Sequence, residues 1–322
     1  MEEEKKLYPF KLCSIADTYG WGDDEFLLAD LGYRDSLVRD GWLAGNSMSE
    51  VMDTYMDRVV GEKTFEYFGR QFPFQVKRIR VRTRTPLVVH PGDDTASQRY
   101  DFLGREKLWY IASAGKDARL YLGWKETTDA GAVYAASCEN ALEPLLNVQI
   151  PHAGDFFHIK PGTVHAASGD ITVIEVSESS PLDFCIHNWG EAPEAEEFDE
   201  SLGLVEALDF IDYNAYANDI PAAAQQETVR KVLDLHQFTA STVSLTTPLR
   251  ISAEGCDAAT VYCCLCGEAS LQVSLPGING VYTIKSGEAI LVPAECGEFI
   301  LAPLAPATTL LEITVQPKPE SI

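Results

Sequence analysis

Positive charge is scarce in this chain, with 25 Lys and Arg against 49 Asp and Glu and a net charge of −24. A field of that sign repels nucleic acid and anionic membrane surfaces, so neither is expected as a partner. It repels sugar phosphates at long range as well, and any anion site must be a local cluster of basic side chains. No run of about 18 apolar residues occurs, which excludes a membrane-spanning helix. Met1 to Lys6 is charged, with no apolar stretch or small-residue cleavage site behind it, and no secretory leader is expected. Eight cysteines without such a leader predict reduced thiols and a cytoplasmic location. A cysteine metal site is also missing. Cys263, Cys264 and Cys266 crowd together, but no second ligand pair follows, and in a strand Cys263 and Cys266 point to opposite faces.

What is present is an ordinary globular composition, 46% apolar and 23% charged. The 322 residues suit two lobes, each with its own core. Near the start, Asp24 to Leu31 reads as a helix. So does Ser47 to Val60, where Met48, Val51, Met52, Tyr55, Met56 and Val59 fall at helical spacing between capping Asn46 or Ser47 and a stop at Gly61. From Phe72 the pattern turns to short β-rich runs separated by turns such as Pro91-Gly92-Asp93-Asp94 and Pro161-Gly162. Val76 to Arg82 interleaves basic and aliphatic residues. The acidic segment Glu191 to Glu200 interrupts this pattern. Helices are expected at Leu202 to Tyr213 and Ala222 to Leu235, and the β pattern returns from Phe238. Gly287-Glu288 before a strand ending at Pro293 echoes Gly154-Asp155 before one ending at Pro161, consistent with two related lobes.

Three motifs carry a family resemblance. Gly154 followed by Lys160-Pro161-Gly162-Thr163-Val164-His165 resembles the second cupin motif. Val88-Val89-His90-Pro91 resembles the Gln-Val-His-Pro segment of type I phosphomannose (mannose-6-phosphate) isomerases. Gly104-Arg105-Glu106-Lys107-Leu108-Trp109-Tyr110 resembles that family's Gly-Lys-x-Glu-x-Trp-Tyr stretch. The resemblance implies a mainly β chain with two cupin-type antiparallel β-barrel (jelly-roll) lobes and a helical connector. The expected boundaries are 1–190 for the lobe with the site, 191–236 for the connector and 237–322 for the second lobe.

The family holds zinc through glutamine, histidine, glutamate and histidine, and moves a proton between C1 and C2 of a sugar phosphate. Those ligands fall on Val88, His90, Lys107 and His165. Valine has no donor atom and an ammonium is repelled by a dication, so zinc is expected to be absent or weakly bound. Glu106 could replace the missing carboxylate only if a bulge turned it inward. The family's catalytic arginine falls on Cys185. The candidate assignments are Lys107 and Glu175 for catalysis, Arg105 and Lys160 for substrate, and His90 and His165 for metal. Bland readings stand beside them: His90 and His165 as hydrogen-bonded barrel residues, Arg105 and Lys160 as solvated surface charges, and His158 and His187 as structural. Lys107 in an apolar barrel needs a partner or a wet pocket. Two functions stay open: a sugar-phosphate isomerase with a drifted site, or a non-catalytic carbohydrate-binding or regulatory cupin.

Overall fold

Short aliphatic and aromatic runs, cut by glycine and proline turns, sort into four sheets in the computed structural model, which describes residues 5–190, 200–220, 227–252 and 257–315. These fall into two compact units, one of residues 16–25 and 76–220, the other of 1–15, 26–75 and 221–322. The division differs from the expected lobes, because the chain before residue 76 mostly joins the C-terminal sheets. Phe10 and Leu291 exchange backbone hydrogen bonds of 2.9 Å in both directions, and Arg58 pairs with Glu295.

In the first unit a six-stranded sheet runs in the spatial order Ile15–Tyr19, Gly22–Leu28, Phe74–Val81, Ile171–Glu178, Lys107–Ala114, Phe156–Ile159. A five-stranded sheet runs Phe184–His187, Leu87–Val89, His165–Ser168, Arg119–Trp124, Leu146–Gln149. Side-chain alternation points Val81, Trp109, Ile111, Phe157 and Val173 of the first sheet toward Leu120, Leu122 and Ala167 of the second, and together they form a core. The second sheet is apolar on its other face too. There Val89, Phe184 and Ile186 pack with Val133 of the helix Ala130–Cys138 and Leu204 of the helix Glu200–Ala207. The lobe is therefore a two-sheet antiparallel jelly roll, of the class expected, and no ladder joins its edge strands among the described residues.

The second unit has sheets of five and four strands, the latter ordered Leu249–Ile251, Phe299–Pro303, Glu268–Leu275, Ile278–Lys285. The glycine-acid echo has a structural counterpart: Phe156–Ile159 and Ala289–Val292 are both four-residue strands, each entered through a glycine of positive φ (Gly154 at 96°, Gly287 at 85°). Cys263 and Cys264 are buried in the strand Thr260–Cys266, and Cys266 is exposed.

Three helix expectations change. Asp24 to Leu28 lies in the strand Gly22–Leu28, and that ion-rich segment pairs its acids with basic residues: Asp24 with Lys77, Glu25 with Arg78. Ser47 does cap a helix, with a reciprocal capping box to Glu50, but that helix ends at Tyr55 and restarts as Asp57–Val60 after Met56 takes φ 47°. The expected connector contains the helix Glu200–Ala207, whereas Val229–Asp234 is a strand paired with Thr239–Leu245; residues 191–199 and 221–226 lie outside the described set. No helix among the described residues is long and apolar enough to cross a membrane.

Candidate active site

Strand alternation builds a cavity of about 510 Å³ within the first unit, a size suited to a small molecule. Leu87 and Val89 face the outer core, which turns Val88 inward; Phe184 and Ile186 do the same for Cys185. Val88 pairs with Cys185 on one side and His165 on the other, so these three form one row of the cavity wall. Lys107, Trp109 and Glu175 line it from the six-stranded sheet, where Glu175 sits directly across from Trp109. His165 enters its strand through the turn Lys160 to Thr163, closed by a 3.1 Å backbone bond. Gly162 has φ 79° there, and a Cβ would meet the carbonyl oxygen of Phe210 at 2.5 Å, so only glycine fits.

The polar atoms form one network. Trp109 Nε1–H donates to Glu175 Oε2 at 2.7 Å. The Lys107 ammonium lies 3.3 Å from the same oxygen and 3.2 Å from His165 Nε2. Arg105 donates to Asp183 at 2.7 Å and lies 3.5 Å from Glu175 Oε1, while Lys77 pairs with Asp24 at 3.2 Å. His165 Nδ1 faces the Thr163 carbonyl at 2.9 Å, and His90 Nδ1 faces the Leu182 carbonyl at 2.7 Å. A carbonyl only accepts, so both Nδ1 atoms carry the proton and both neutral rings present an Nε2 lone pair. On His165 that lone pair accepts from Lys107. On His90, Nε2 is buried without a hydrogen-bond partner among the described residues.

Burial and charge set the protonation states. Burial pushes the Lys107 ammonium down to about 8, with Glu175 opposing and Arg105 adding to the fall. Burial and then Lys107 push His165 down to about 3, and burial with the same cations holds His90 well below the usual histidine range. Burial alone would raise Glu175, but Lys107, Arg105 and Lys77 outweigh it and keep this carboxyl well below the ordinary range.

Of the residues expected from sequence, Lys107, Glu175, Arg105 and His165 line the cavity, and His90 packs against His165 with ring centroids 5.0 Å apart. Lys160 does not line it; its half-exposed side chain pairs with Asp219 at 2.7 Å. Glu106 is not turned inward, because its carboxylate takes a 2.6 Å contact from His158 Nε2, whose other nitrogen meets Asp219 at 3.0 Å. Sequence reasoning missed Asp24, Lys77, Arg84, Trp109 and Asp183, all of which line the cavity. The interleaved strand Val76 to Arg82 signalled Lys77, whereas nothing local pointed to Asp24 or Asp183. Arg84 stacks on Trp189, 3.2 Å from the ring centroid, and bridges to Glu143 at 2.9 Å.

No family model matches the chain. The mannose-6-phosphate isomerase ManA of Bacillus subtilis is 26% identical over 283 residues, covering 83% of this chain and 82% of that one. The chain is thus similar to mannose-6-phosphate isomerases over most of its length. A mannose-6-phosphate isomerase of Streptococcus mutans is 24% identical over 189 residues, covering 58% of this chain and 57% of its own. Among solved structures, the Bacillus subtilis mannose 6-phosphate isomerase superposes with a TM-score of 0.81 at 16% identity, over 95% of this chain and 99% of that one. The apo form from Salmonella typhimurium gives 0.74 at 12% identity, over 96% of this chain and 100% of its own. At these identities the superpositions establish the shared fold.

The positions that the sequence resemblance assigns to zinc ligands are Val88, His90, Lys107 and His165, and the side chains present there do not fit zinc. Val88 brings no donor atom, and the His165 Nε2 lone pair is already engaged by Lys107. Among the described residues no three His, Cys, Asp or Glu side chains are arranged to hold a metal ion.

Proposed function

We propose that the cavity binds an open-chain sugar phosphate of the mannose 6-phosphate type and interconverts its aldose and ketose forms. The observation that carries this is the contact of Lys107 with both Glu175 and His165, from opposite sheets, in a cavity of about 510 Å³. Isomerisation removes a proton from one carbon and returns it to its neighbour while negative charge gathers on oxygen. Lys107 and Arg105 offer buried positive charge to that oxygen, where low dielectric makes it most effective. Glu175 is the proton carrier, and its partners Trp109 and Lys107 hold it in place. Arg84 and Arg105 supply the local basic cluster that a chain of this net charge needs to hold a phosphate.

The cations that ionise Glu175 also weaken it as a base, so turnover is slow relative to an enzyme whose base titrates near neutrality. That observation favours a second reading, in which the chain binds the sugar phosphate without converting it. A coupled assay for ketose phosphate formed from mannose 6-phosphate, run beside a calorimetric titration with the same compound, separates the two. Product formation that disappears in Glu175→Gln supports the isomerase, binding without product supports the second reading, and absence of both sinks the whole proposal. The setting in this reading is a reducing cytoplasm, in keeping with the thiol state of the described cysteines.

A further inference from the structure

We infer that the Lys107 ammonium stands in for a divalent metal and its carboxylate ligand together, so that this cavity handles its sugar phosphate without a metal. The inference rests on the proposed sugar-phosphate reading and deepens it. A carboxylate and a divalent ion carry one net positive charge between them, and one ammonium carries the same. The net charge these groups bring to the site is therefore the same although both of its sources have changed.

Two features of the cavity agree with this bookkeeping. The charges of the cavity wall already balance: buried Lys107 and Arg105 face buried Glu175 and the half-exposed Asp183, and Lys77 faces Asp24. A dication added beside Lys107 would bring uncompensated positive charge into a site where Lys107, Arg105 and Glu175 are all nearly inaccessible. The second feature is position. A zinc ion would sit about 2.0–2.1 Å from an imidazole nitrogen along its lone pair. That direction on His165 is taken by Lys107 Nζ at 3.2 Å. The neighbouring wall residue, Val88, offers a hydrocarbon where a fourth ligand would be needed. The ammonium can donate three hydrogen bonds; one goes to His165 and Glu175 stands 3.3 Å away as its counter-charge, which leaves donor capacity for an oxygen of the ligand.

The test uses the full chain with zinc chloride and mannose 6-phosphate as probes. Wild-type protein is incubated with excess zinc, dialysed and assayed for metal; it should retain none, and its affinity for mannose 6-phosphate should be the same with and without chelator. Lys107→Gln, which keeps a polar side chain and removes the charge, should weaken that affinity by about tenfold or more. The double variant Val88→Gln, Lys107→Glu should retain about one zinc per chain, lost again when His165→Ala is added. Stoichiometric zinc in the wild type, removed by His165→Ala, overturns the inference even if the double variant does not fold. A wild type that binds neither zinc nor mannose 6-phosphate sinks the sugar-phosphate reading, while zinc uptake by the double variant still upholds the exchange of lysine for metal and carboxylate.

Discussion

The Lys107 ammonium lies 3.2 Å from Nε2 of His165, so a cation supplied by the chain occupies the lone pair that would otherwise be offered to a metal. The contact depends on two strands in different sheets, Lys107–Ala114 and His165–Ser168, facing each other across the sandwich. It also leaves Glu175 as the counter-charge of a buried pair, and the consequences can be measured.

Replacing Lys107 by Met should destabilise the fold, because Glu175 would lose a cation 3.3 Å away in a fully buried setting. Breaking one side of such a pair costs roughly 3–5 kcal/mol. The remaining partners, Trp109 and Arg105, bring this toward the lower end. Urea denaturation at neutral pH should show it, and an unchanged midpoint would mean that Glu175 is satisfied without Lys107.

Trp109→Phe removes one hydrogen-bond donor and leaves most of the ring's packing. The lost bond is the 2.7 Å donation to the Glu175 carboxylate. A loss of about 1–3 kcal/mol is expected, the range for leaving a buried charged acceptor one donor short. The proposed isomerisation should slow as well, since Glu175 would lose a group that positions it.

Asp30, in the second unit, gives a pH signature independent of the site. Burial raises its carboxyl to about 6, against the backbone N–H of Phe72 that it accepts at 2.7 Å. With the folded value above the unfolded one, its contribution is full below about pH 4 and is lost as pH rises to about 6. Asp30→Asn keeps an acceptor for Phe72 and should gain on the wild type across that window, by roughly 2–3 kcal/mol, then stay level above it. Melting temperatures at pH 4, 5, 6 and 8 test this; an advantage that does not grow with pH would refute it.

His158 works in a different window. Burial alone would lower its pKa, but Glu106 and Asp219 on its two nitrogens raise it above the ordinary value. Its stabilisation is therefore fully present below about pH 6.5 and fades as pH climbs through the raised folded value. His158→Gln should be less stable than the wild type at pH 6 and approach it at alkaline pH. A constant difference across that range would show that packing rather than charge is at stake.

How much of this was legible in the sequence varies with the range of the interaction involved. The alternating strands, the turn at Pro161-Gly162 and the Ser47 cap follow from local patterns, because period, turn conformation and capping are set within a few residues. The same locality carried Lys107, His165 and Glu175 to one cavity, since each sits on the inward phase of a strand whose pattern is readable, and it carried the loss of donors at Val88 and Lys107. What sequence could not supply was pairing at a distance. Asp24 to Leu28 is strand rather than helix, and there Asp24 pairs with a lysine 53 residues away. Lys160 is drawn to Asp219 rather than to the cavity, and Asp183 comes to Arg105 across 78 residues. Residues 1–15 and 26–75 join the C-terminal unit through contacts such as Phe10 with Leu291. Each of these is a choice among many partners of the same chemistry, and only the packed sheets, by fixing which strands are neighbours, select one.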